Sequence, residues 1–252
     1  MNRNEILQQL HHTFQWDVVI IGGGATGLGA ALDAVTRGYK ILLVEQYDFA
    51  KGTSSRATKL VHGGVRYLAQ GNIKLVFEAL RERGRLLKNA PHITAVQPFI
   101  LPVYGIWQKI YYGIGLIFYD LLSGKLSLGK TKLLSKSKTL QLLPSLQSKK
   151  LSGGILYYDG QFDDARLAID IALTAVKHGA VVLNYCKATG FNKTNGQIDE
   201  VIIKDELGEK EYIIKCKAVI NATGVFADAV MQMDDNSQHH IVAPSQGIHL
   251  VV

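Results

Sequence analysis

The feature that most constrains the fold is a strand, glycine loop, helix and second strand in direct succession near the start of the chain. Residues 17–21 (DVVII) form a short β-branched run, as in a buried parallel strand. The loop GGGATG at 22–27 follows, and then a helix of small residues that Gly38 ends. A second buried strand is predicted at 40–44, with Glu45 directly after it. Such a β-α-β unit indicates an α/β fold with a parallel sheet.

The glycine loop fits the GxGxxG pattern of dinucleotide-binding proteins. Its first glycine permits a tight turn, its second lets the backbone approach a pyrophosphate, and its third lets the helix pack closely against the strand. The first helical amides provide donors for the diphosphate, and an acid after the second strand can accept from ribose hydroxyls. The predicted residues are Gly22, Gly24, Ala25, Thr26, Gly27 and Glu45.

Composition excludes several other classes of protein. With 252 residues, 47% of them hydrophobic, the chain is long and apolar enough for a real core and is not a disordered tail. Two cysteines cannot form a disulfide framework or complete a zinc site, so a reducing compartment and no metal are predicted. The polar start predicts no secretory signal. The formal charge of +7 favours an anionic partner.

The middle of the chain has a different composition. A helix is predicted at 72–89, with Ile73, Val76, Phe77, Leu80 and Leu87 on its apolar face. Residues 99–124 are the most apolar stretch, but their charges, proline and glycines argue against a membrane span. Lysines without nearby acids then follow: Lys125, Lys130, Lys132, Lys136, Lys138, Lys149 and Lys150.

Further along the chain, the pattern of the first part returns. A helix is predicted at 164–178, a strand at 180–185 and a β-meander at 188–217, with turns at Asn195-Gly196 and Leu207-Gly208. The last meander strand leads to Ala222-Thr223-Gly224, and the final GIHLVV is predicted to form a strand.

Three segments carry a family resemblance: GTSSRATKLVHGGVRYL at 52–68, YYDGQFDDARL, and VINATG. Together they closely resemble the FAD-dependent glycerol-3-phosphate dehydrogenases. This resemblance implies an amine-oxidase-like flavoprotein: a Rossmann-like FAD-binding domain at 14–98 and 151–235, interleaved with a substrate domain at 99–150 and 236–252. Members of that family are longer, so the chain is expected to stop inside the substrate domain, as a fragment, a truncated product or one piece of a split enzyme.

The resemblance also implies which residues bind the cofactor, FAD. They belong to the glycine loop, the ribose acid, the stretch from the Thr-Ser-Ser segment to the histidine segment, the start of the meander and the ATG turn. Beyond the glycine-loop residues and Glu45 they are Thr53, Ser54, Ser55, Lys59, Leu60, His62, Gly63, Gly64, Ala188, Ala222, Thr223 and Gly224.

The implied reaction is oxidation of sn-glycerol 3-phosphate to dihydroxyacetone phosphate. The implied catalytic residues are His62, Arg66, Tyr67 and His249. An arginine fork suits the phosphate dianion, so Arg66 is the predicted phosphate ligand. Either His62 or His249 could accept the hydroxyl proton, and the sequence leaves this open.

The partners that follow are glycerol 3-phosphate, an electron acceptor and an anionic membrane surface, but no nucleic acid. Respiratory members of the family reduce quinone, whereas an oxidase branch reduces oxygen. The predicted location is the cytoplasm, with a peripheral position on the inner face of the membrane. Two alternatives remain: a related oxidase acting on glycerol 3-phosphate, an amine or a 2-hydroxy acid, and an inactive FAD-binding fragment.

Overall fold

The structure, a computed structural model, describes residues 2–237, 239–245 and 247–248, apart from the side chains of Arg66 and Ala69. Its helices in chain order are α1 (Arg3–His12), α2 (Ala25–Thr36), α3 (Val65–Ala69), α4 (Ile73–Asn89), α5 (Ile106–Ser123), α6 (Lys136–Leu142), α7 (Asp164–Lys177) and α8 (Ala227–Asp234). Its strands are β1 (Trp16–Ile21), β2 (Ile41–Val44), β3 (Leu60–Val61), β4 (Thr94–Val103), β5 (Lys132–Leu134), β6 (Gly153–Phe162), β7 (Val181–Leu183), β8 (Cys186–Thr194), β9 (Gln197–Asp205) and β10 (Glu211–Asn221).

The chain divides into two compact units, residues 1–56 with 164–252 and residues 57–163. In the first, the described strands form a sheet in the order β7-β2-β1-β10-β9-β8. β7, β2, β1 and β10 run parallel, and β9 and β8 continue the sheet antiparallel to them. The predicted α/β class, the parallel strands and the meander are therefore confirmed.

Both faces of the first sheet are covered by apolar side chains. On one face, Ile20 and Leu43 pack against the small residues of α2 and α7, among them Ala31 and Ala172. On the other face, Val19 belongs to a core that includes residues of α1, β8, β9 and β10. The strands are buried on both sides, which explains their continuous β-branched sequences.

In the second unit, β6 pairs with β3, β4 and β5, all antiparallel. The pairing of β4 with β6 runs from Thr94–Phe162 to Val103–Gly153 without interruption. Boundaries at 98/99, 150/151 and 235/236 were predicted for the functional domains, but the compact units divide at 56/57 and 163/164. The difference arises because a continuous ladder joins the segments on either side of residue 98. The functional boundaries stay a prediction.

Helix α4 begins one residue after its predicted start, and its buried face differs from the prediction. Val76 and Leu80 are fully buried, as expected, but Ile73 and Phe77 are about half exposed, at 47% and 49%. Arg83 is buried in their place. The predicted apolar face was wrong for those two positions because the helix buries a cation that pairs with a distant acid.

The most apolar stretch forms β4 and α5. Within the described residues, no helix is long and apolar enough to cross a membrane. At the other end of the chain, Gly247 and Ile248 lie in neither helix nor strand, and the remainder of the predicted GIHLVV strand, His249 included, lies outside the described residues.

Candidate functional site

The glycine loop is held between β1 and the turn after β10. Gly22 has φ +113°, and a Cβ on it would lie 2.5 Å from the carbonyl oxygen of Ala222. A Cβ on Gly27 would lie 1.9 Å from the carbonyl oxygen of Gly22. No side chain fits at these contacts, so the first and third glycines of the motif are required by conformation and space, as predicted.

Gly24 has a different role from its two partners. It is the N-cap of α2 and has φ −82°, which any residue adopts. A Cβ there would lie 3.1 Å from the Oγ of Ser54. Because Gly24 lines a cavity, the absence of a side chain there leaves space for a ligand close to the backbone.

This cavity has a volume of about 660 Å³ and lies at the carboxyl ends of β1 and β2. Ligands of open α/β sheets bind at this edge, and the volume falls within the range of small-molecule sites. The predicted residues that line it are Gly22, Gly24, Ala25, Thr26, Glu45, Thr53, Ser54, Ala188, Ala222, Thr223 and Gly224. Gly27 instead packs behind the loop, and Ser55 is not part of the lining.

Glu45 is fixed at the cavity by two backbone amides. Its Oε2 accepts from the N–H of Gly23 at 2.7 Å, and its Oε1 accepts from the N–H of Tyr47 at 2.8 Å. A carboxylate oxygen has two acceptor sites, so the carboxylate can still accept from ribose hydroxyls. A Cβ on Gly23 would lie 2.8 Å from the Cβ of Glu45. Gly23 was not predicted from the sequence, because it is not one of the three motif glycines.

Two hydroxyl residues tie neighbouring loops to the site. Ser54 accepts a hydrogen bond from the N–H of Ala25, at 2.9 Å, in the first turn of α2. Thr223 donates from Oγ1 to the Oδ1 of Asn221 at 2.7 Å, and Asn221 also donates to the carbonyl of Ala227 at 2.8 Å. Asn221, which was not predicted, thus fixes the ATG turn.

The cavity also has cationic and apolar lining that sequence reasoning missed. The basic residues are Lys51, Arg56 and Lys187, and the larger apolar ones include Val225, Phe226 and Met233. Lys51 and Arg56 flank the Gly-Thr-Ser-Ser segment directly, and this signal could have identified them. Cations on a surface with helix amides suit a diphosphate, and apolar side chains suit a flat ring. The residues present therefore fit a dinucleotide such as FAD.

The histidine segment belongs to the second unit. His62 is exposed, and its Nδ1 accepts from the N–H of Gly64 at 3.1 Å. Gly64 has φ +73° and is the N-cap of α3, in which Tyr67 is 45% exposed. Arg66 lies in the same helix, but its side chain lies outside the described structure.

Gly63 is fixed by packing rather than by its own conformation. A Cβ on it would lie 2.3 Å from the Cδ2 of Leu80 and 2.6 Å from the hydroxyl of Tyr119. Two other predicted residues, Lys59 and Leu60, precede the segment. Lys59 has φ +59°, and Leu60 pairs with Gln161 in the β3–β6 ladder. The contribution of these residues to cofactor or substrate binding stays a prediction.

The sequence matches the FAD-dependent oxidoreductase family, the DAO family, over residues 17–252. The chain belongs to the FAD-dependent oxidoreductase family. This match confirms the predicted cofactor, FAD, and the predicted class of enzyme, an oxidoreductase.

Individual relatives confirm the resemblance found in the sequence. The mitochondrial glycerol-3-phosphate dehydrogenase of Macaca fascicularis is 48% identical over the whole chain, and the Saccharomyces cerevisiae enzyme is 45% identical over 94% of it. The chain spans 36% and 38% of those two proteins. The Bacillus halodurans glycerol-3-phosphate dehydrogenase complexed with FAD superposes with a TM-score of 0.72 at 35% identity, over 94% of this chain and 39% of that one.

Proposed function

We propose that the complete protein oxidises sn-glycerol 3-phosphate to dihydroxyacetone phosphate, with FAD as cofactor. The observation that carries this proposal is the 48% identity to a named glycerol-3-phosphate dehydrogenase along the whole chain. The glycine loop and the cavity beside it supply independent physical support, since the residues that line the cavity fit a dinucleotide.

In this proposal the first unit holds the cofactor through its own backbone and side chains. The α2 amides and Lys51, Arg56 and Lys187 bind the diphosphate, and Glu45 accepts from the ribose hydroxyls. The Ala222-Thr223-Gly224 turn closes the cavity. When bound, FAD supplies the acceptor for the hydride that leaves the alcohol carbon.

In this proposal the histidine segment of the second unit contributes residues that act on the substrate. Arg66 binds the phosphate dianion through its planar fork of donors. Tyr67 and His62 bind and orient the glycerol oxygens. The hydroxyl proton is accepted by a general base, and the candidates are the imidazoles of His62 and His249.

Cofactor binding is tested on the purified chain with a matched pair of variants. Gly24→Glu places a carboxylate in the cavity where the diphosphate would lie, whereas Gly29→Glu adds the same charge where no described neighbour lies within 4 Å of the added Cβ. We expect wild type and Gly29→Glu to retain FAD, measured by absorbance after gel filtration, and Gly24→Glu to lose it. Equal retention by both variants would remove the glycine loop from the site.

Substrate specificity is tested on the full-length protein. We expect reduction of the bound flavin by glycerol 3-phosphate and none by glycerol, an amino acid or a 2-hydroxy acid. Arg66→Ala should lower kcat/KM by about ten- to a hundredfold, because a lost charge-assisted contact is worth ~1.5–3 kcal/mol. Preference for an amino acid or a 2-hydroxy acid would instead assign the protein to a related oxidase.

We further propose that α5 rests on an anionic lipid surface. One face of this helix exposes large apolar side chains: Ile106, Trp107, Ile110, Tyr111, Ile114, Ile117, Phe118 and Leu121. Lys109 does not interrupt that face, because its ammonium donates to the carbonyl oxygen of Leu134 at 2.8 Å. The lysines from Lys125 to Lys150 are exposed and complement anionic headgroups. A protein placed there in the cytoplasm, on the inner face of the membrane, would reach quinone as its electron acceptor.

Vesicle sedimentation tests the lipid surface. We expect binding to phosphatidylserine-containing vesicles that high salt weakens only in part, since apolar insertion persists when lysine attraction is screened. Trp107→Ser with Ile114→Ser should remove the salt-resistant part, whereas Phe14→Ser, at a residue 82% exposed in the first unit, should not. Binding that high salt abolishes in every variant would contradict insertion of α5. Oxygen as the preferred acceptor of the full-length protein would contradict the quinone proposal.

A further inference from the structure

The second unit contains a polar network under the histidine segment that the proposed chemistry does not use. Its side chains come from α4, α5 and β6, and each is more than nine-tenths buried: Arg83, Tyr119, Ser123 and Asp159. Buried polar groups of this kind are costly unless they are paired. Their arrangement therefore needs a physical account.

Each hydrogen bond between Gly63, Tyr119, Asp159 and Arg83 has a defined donor and a defined acceptor. Arg83 donates from Nη1 to the Oδ1 of Asp159 at 2.7 Å, and the hydroxyl of Tyr119 lies 3.1 and 3.0 Å from the two carboxylate oxygens. The N–H of Gly63 lies 2.7 Å from the same hydroxyl. A carboxylate only accepts and an amide N–H only donates, so Tyr119 donates to Asp159 and accepts from Gly63.

The hydrogen bonds from Gly63 to Tyr119 and from Tyr119 to Asp159 keep this direction as the pH rises. Burial, reinforced by the negative charge of Asp159, raises the pKa of Tyr119 far above its ordinary value. The hydroxyl therefore keeps its proton. On the other side, Arg83 also donates from Nη2 to the Oγ of Ser123 at 3.2 Å, which anchors the network to the end of α5.

The hydrogen bond that holds the Gly63 amide also fixes the backbone next to His62. Gly63 cannot move towards α4 or α5, because Leu80 and Tyr119 already fill the space beside its α-carbon. The next amide, that of Gly64, points at the Nδ1 of His62. A backbone N–H can only donate, so Nδ1 must be unprotonated, and the neutral ring carries its proton on Nε2.

We propose that Tyr119 and Asp159 are positioning residues for His62: they hold the Gly63 amide, and with it the Gly64 N–H that keeps the proton of the neutral imidazole on Nε2. The ring then presents an N–H donor, and the acceptor for the substrate's hydroxyl proton is a different group. Only the link to catalysis rests on the proposed function, in which His62 orients the substrate. The tautomer itself does not depend on cofactor or substrate.

The test uses ¹⁵N-labelled chain at pH about 8.5, where an ordinary imidazole is neutral. The wild type should show one pyridine-like nitrogen at Nδ1 and one protonated nitrogen at Nε2 of His62, assigned with a His62→Gln variant. Tyr119→Phe removes only the hydroxyl, so Gly63 loses its acceptor. Its amide should exchange with solvent about tenfold faster or more, and the two His62 nitrogens should move towards each other as the tautomers mix.

Tyr157→Phe is the matched control, because Tyr157 lies in the same unit and stacks on Phe99. It should leave Gly63 and His62 unchanged. A wild-type His62 protonated on Nδ1 would overturn the proposal even if the Tyr119→Phe variant did not fold. So would a Tyr119→Phe variant in which Gly63 exchange rises and the tautomer stays fixed. Failure of the chain to bind FAD, or of the full-length protein to oxidise glycerol 3-phosphate, would overturn the proposed function and leave these measurements intact.

Discussion

Two glycines in the same helix should respond in opposite ways to substitution by alanine. At Gly27 the added Cβ would lie 1.9 Å from the carbonyl oxygen of Gly22 and 3.3 Å from the Cβ of Ala222. At Gly29, two residues later in α2, none of the neighbours that the structure describes lies within 4 Å of the added Cβ. The pair therefore separates helix propensity from the packing of the cofactor loop.

The expected magnitudes follow from these contacts. Alanine in place of an unhindered helical glycine stabilises by about 0.8–1 kcal/mol, and Gly29→Ala should gain up to that amount. Overpacking costs about 1–3 kcal/mol, and here the neighbour is a backbone oxygen that no rotamer change can move. The gain in helix propensity is common to both variants and cancels in the comparison, so we expect Gly27→Ala to be about 1–3 kcal/mol less stable than Gly29→Ala.

FAD affinity provides the functional measurement. Relief of the clash must displace Gly22, which lines the cavity, so Gly27→Ala should bind FAD at least about tenfold more weakly, equivalent to ~1.4 kcal/mol. Urea unfolding followed by far-UV circular dichroism measures stability, and fluorescence titration measures FAD binding. If Gly27→Ala matched Gly29→Ala in both measurements, the close contact between the first and third glycines would be refuted.

Three further predictions concern buried charges and thiols. Burial acts to raise the pKa of Asp205, but hydrogen bonds, that from Arg3 foremost, outweigh it and lower the pKa. The ionised Asp205 thus stabilises the fold above about pH 3.9, and this stabilisation is lost as the pH falls. In urea unfolding at pH 7, Arg3→Ala should therefore be less stable than wild type, and the difference in the free energy of unfolding should narrow towards pH 3. Arg83→Met leaves Asp159 buried without its cation and should cost about 3–5 kcal/mol in the same assay, so a loss below ~1 kcal/mol would contradict the buried pair. Burial, reinforced by nearby acids, raises the pKa of Cys216 to about 11, so this thiol should react with a disulfide reagent at pH 8 only after unfolding.

The sequence predicted the first unit well because its signals are local. The order of strand, glycine loop, helix and strand falls within thirty residues, and β-branched runs mark the strands wherever both faces are buried. The helix α1 was not predicted, since only Leu10 of its ten residues is buried and its apolar pattern is weak. Gly23 and Asn221 were missed for another reason: their partners, Glu45 and Ala227, become relevant only once the loops are closed.

The second unit was harder to predict because its decisive contacts are polar and distant. A helical periodicity assigns arginine to the solvent side, so the burial of Arg83 could not be read from α4 alone. Its partner Asp159 lies 76 residues further along the chain. Ile73 and Phe77 were expected to be buried but are about half exposed, whereas Arg83 is buried. The side of α4 that was expected to face the core is therefore turned partly outward.

The two units thus fix their functional segments by different physical means. In the first, the glycine loop and the ATG turn directly follow β1 and β10, whose parallel pairing brings Ile21 beside Asn221. The next residues, Gly22 and Ala222, are then so close that a side chain at position 22 does not fit. In the second, the histidine segment follows a strand of two residues, β3, which provides little support of its own. Well-packed apolar residues often stabilise a fold as much as a buried ion pair does, which agrees with the positioning role proposed for Tyr119 and Asp159. Tyr119, through the amide of Gly63, supplies at one point the geometric order that a longer strand pairing would otherwise provide.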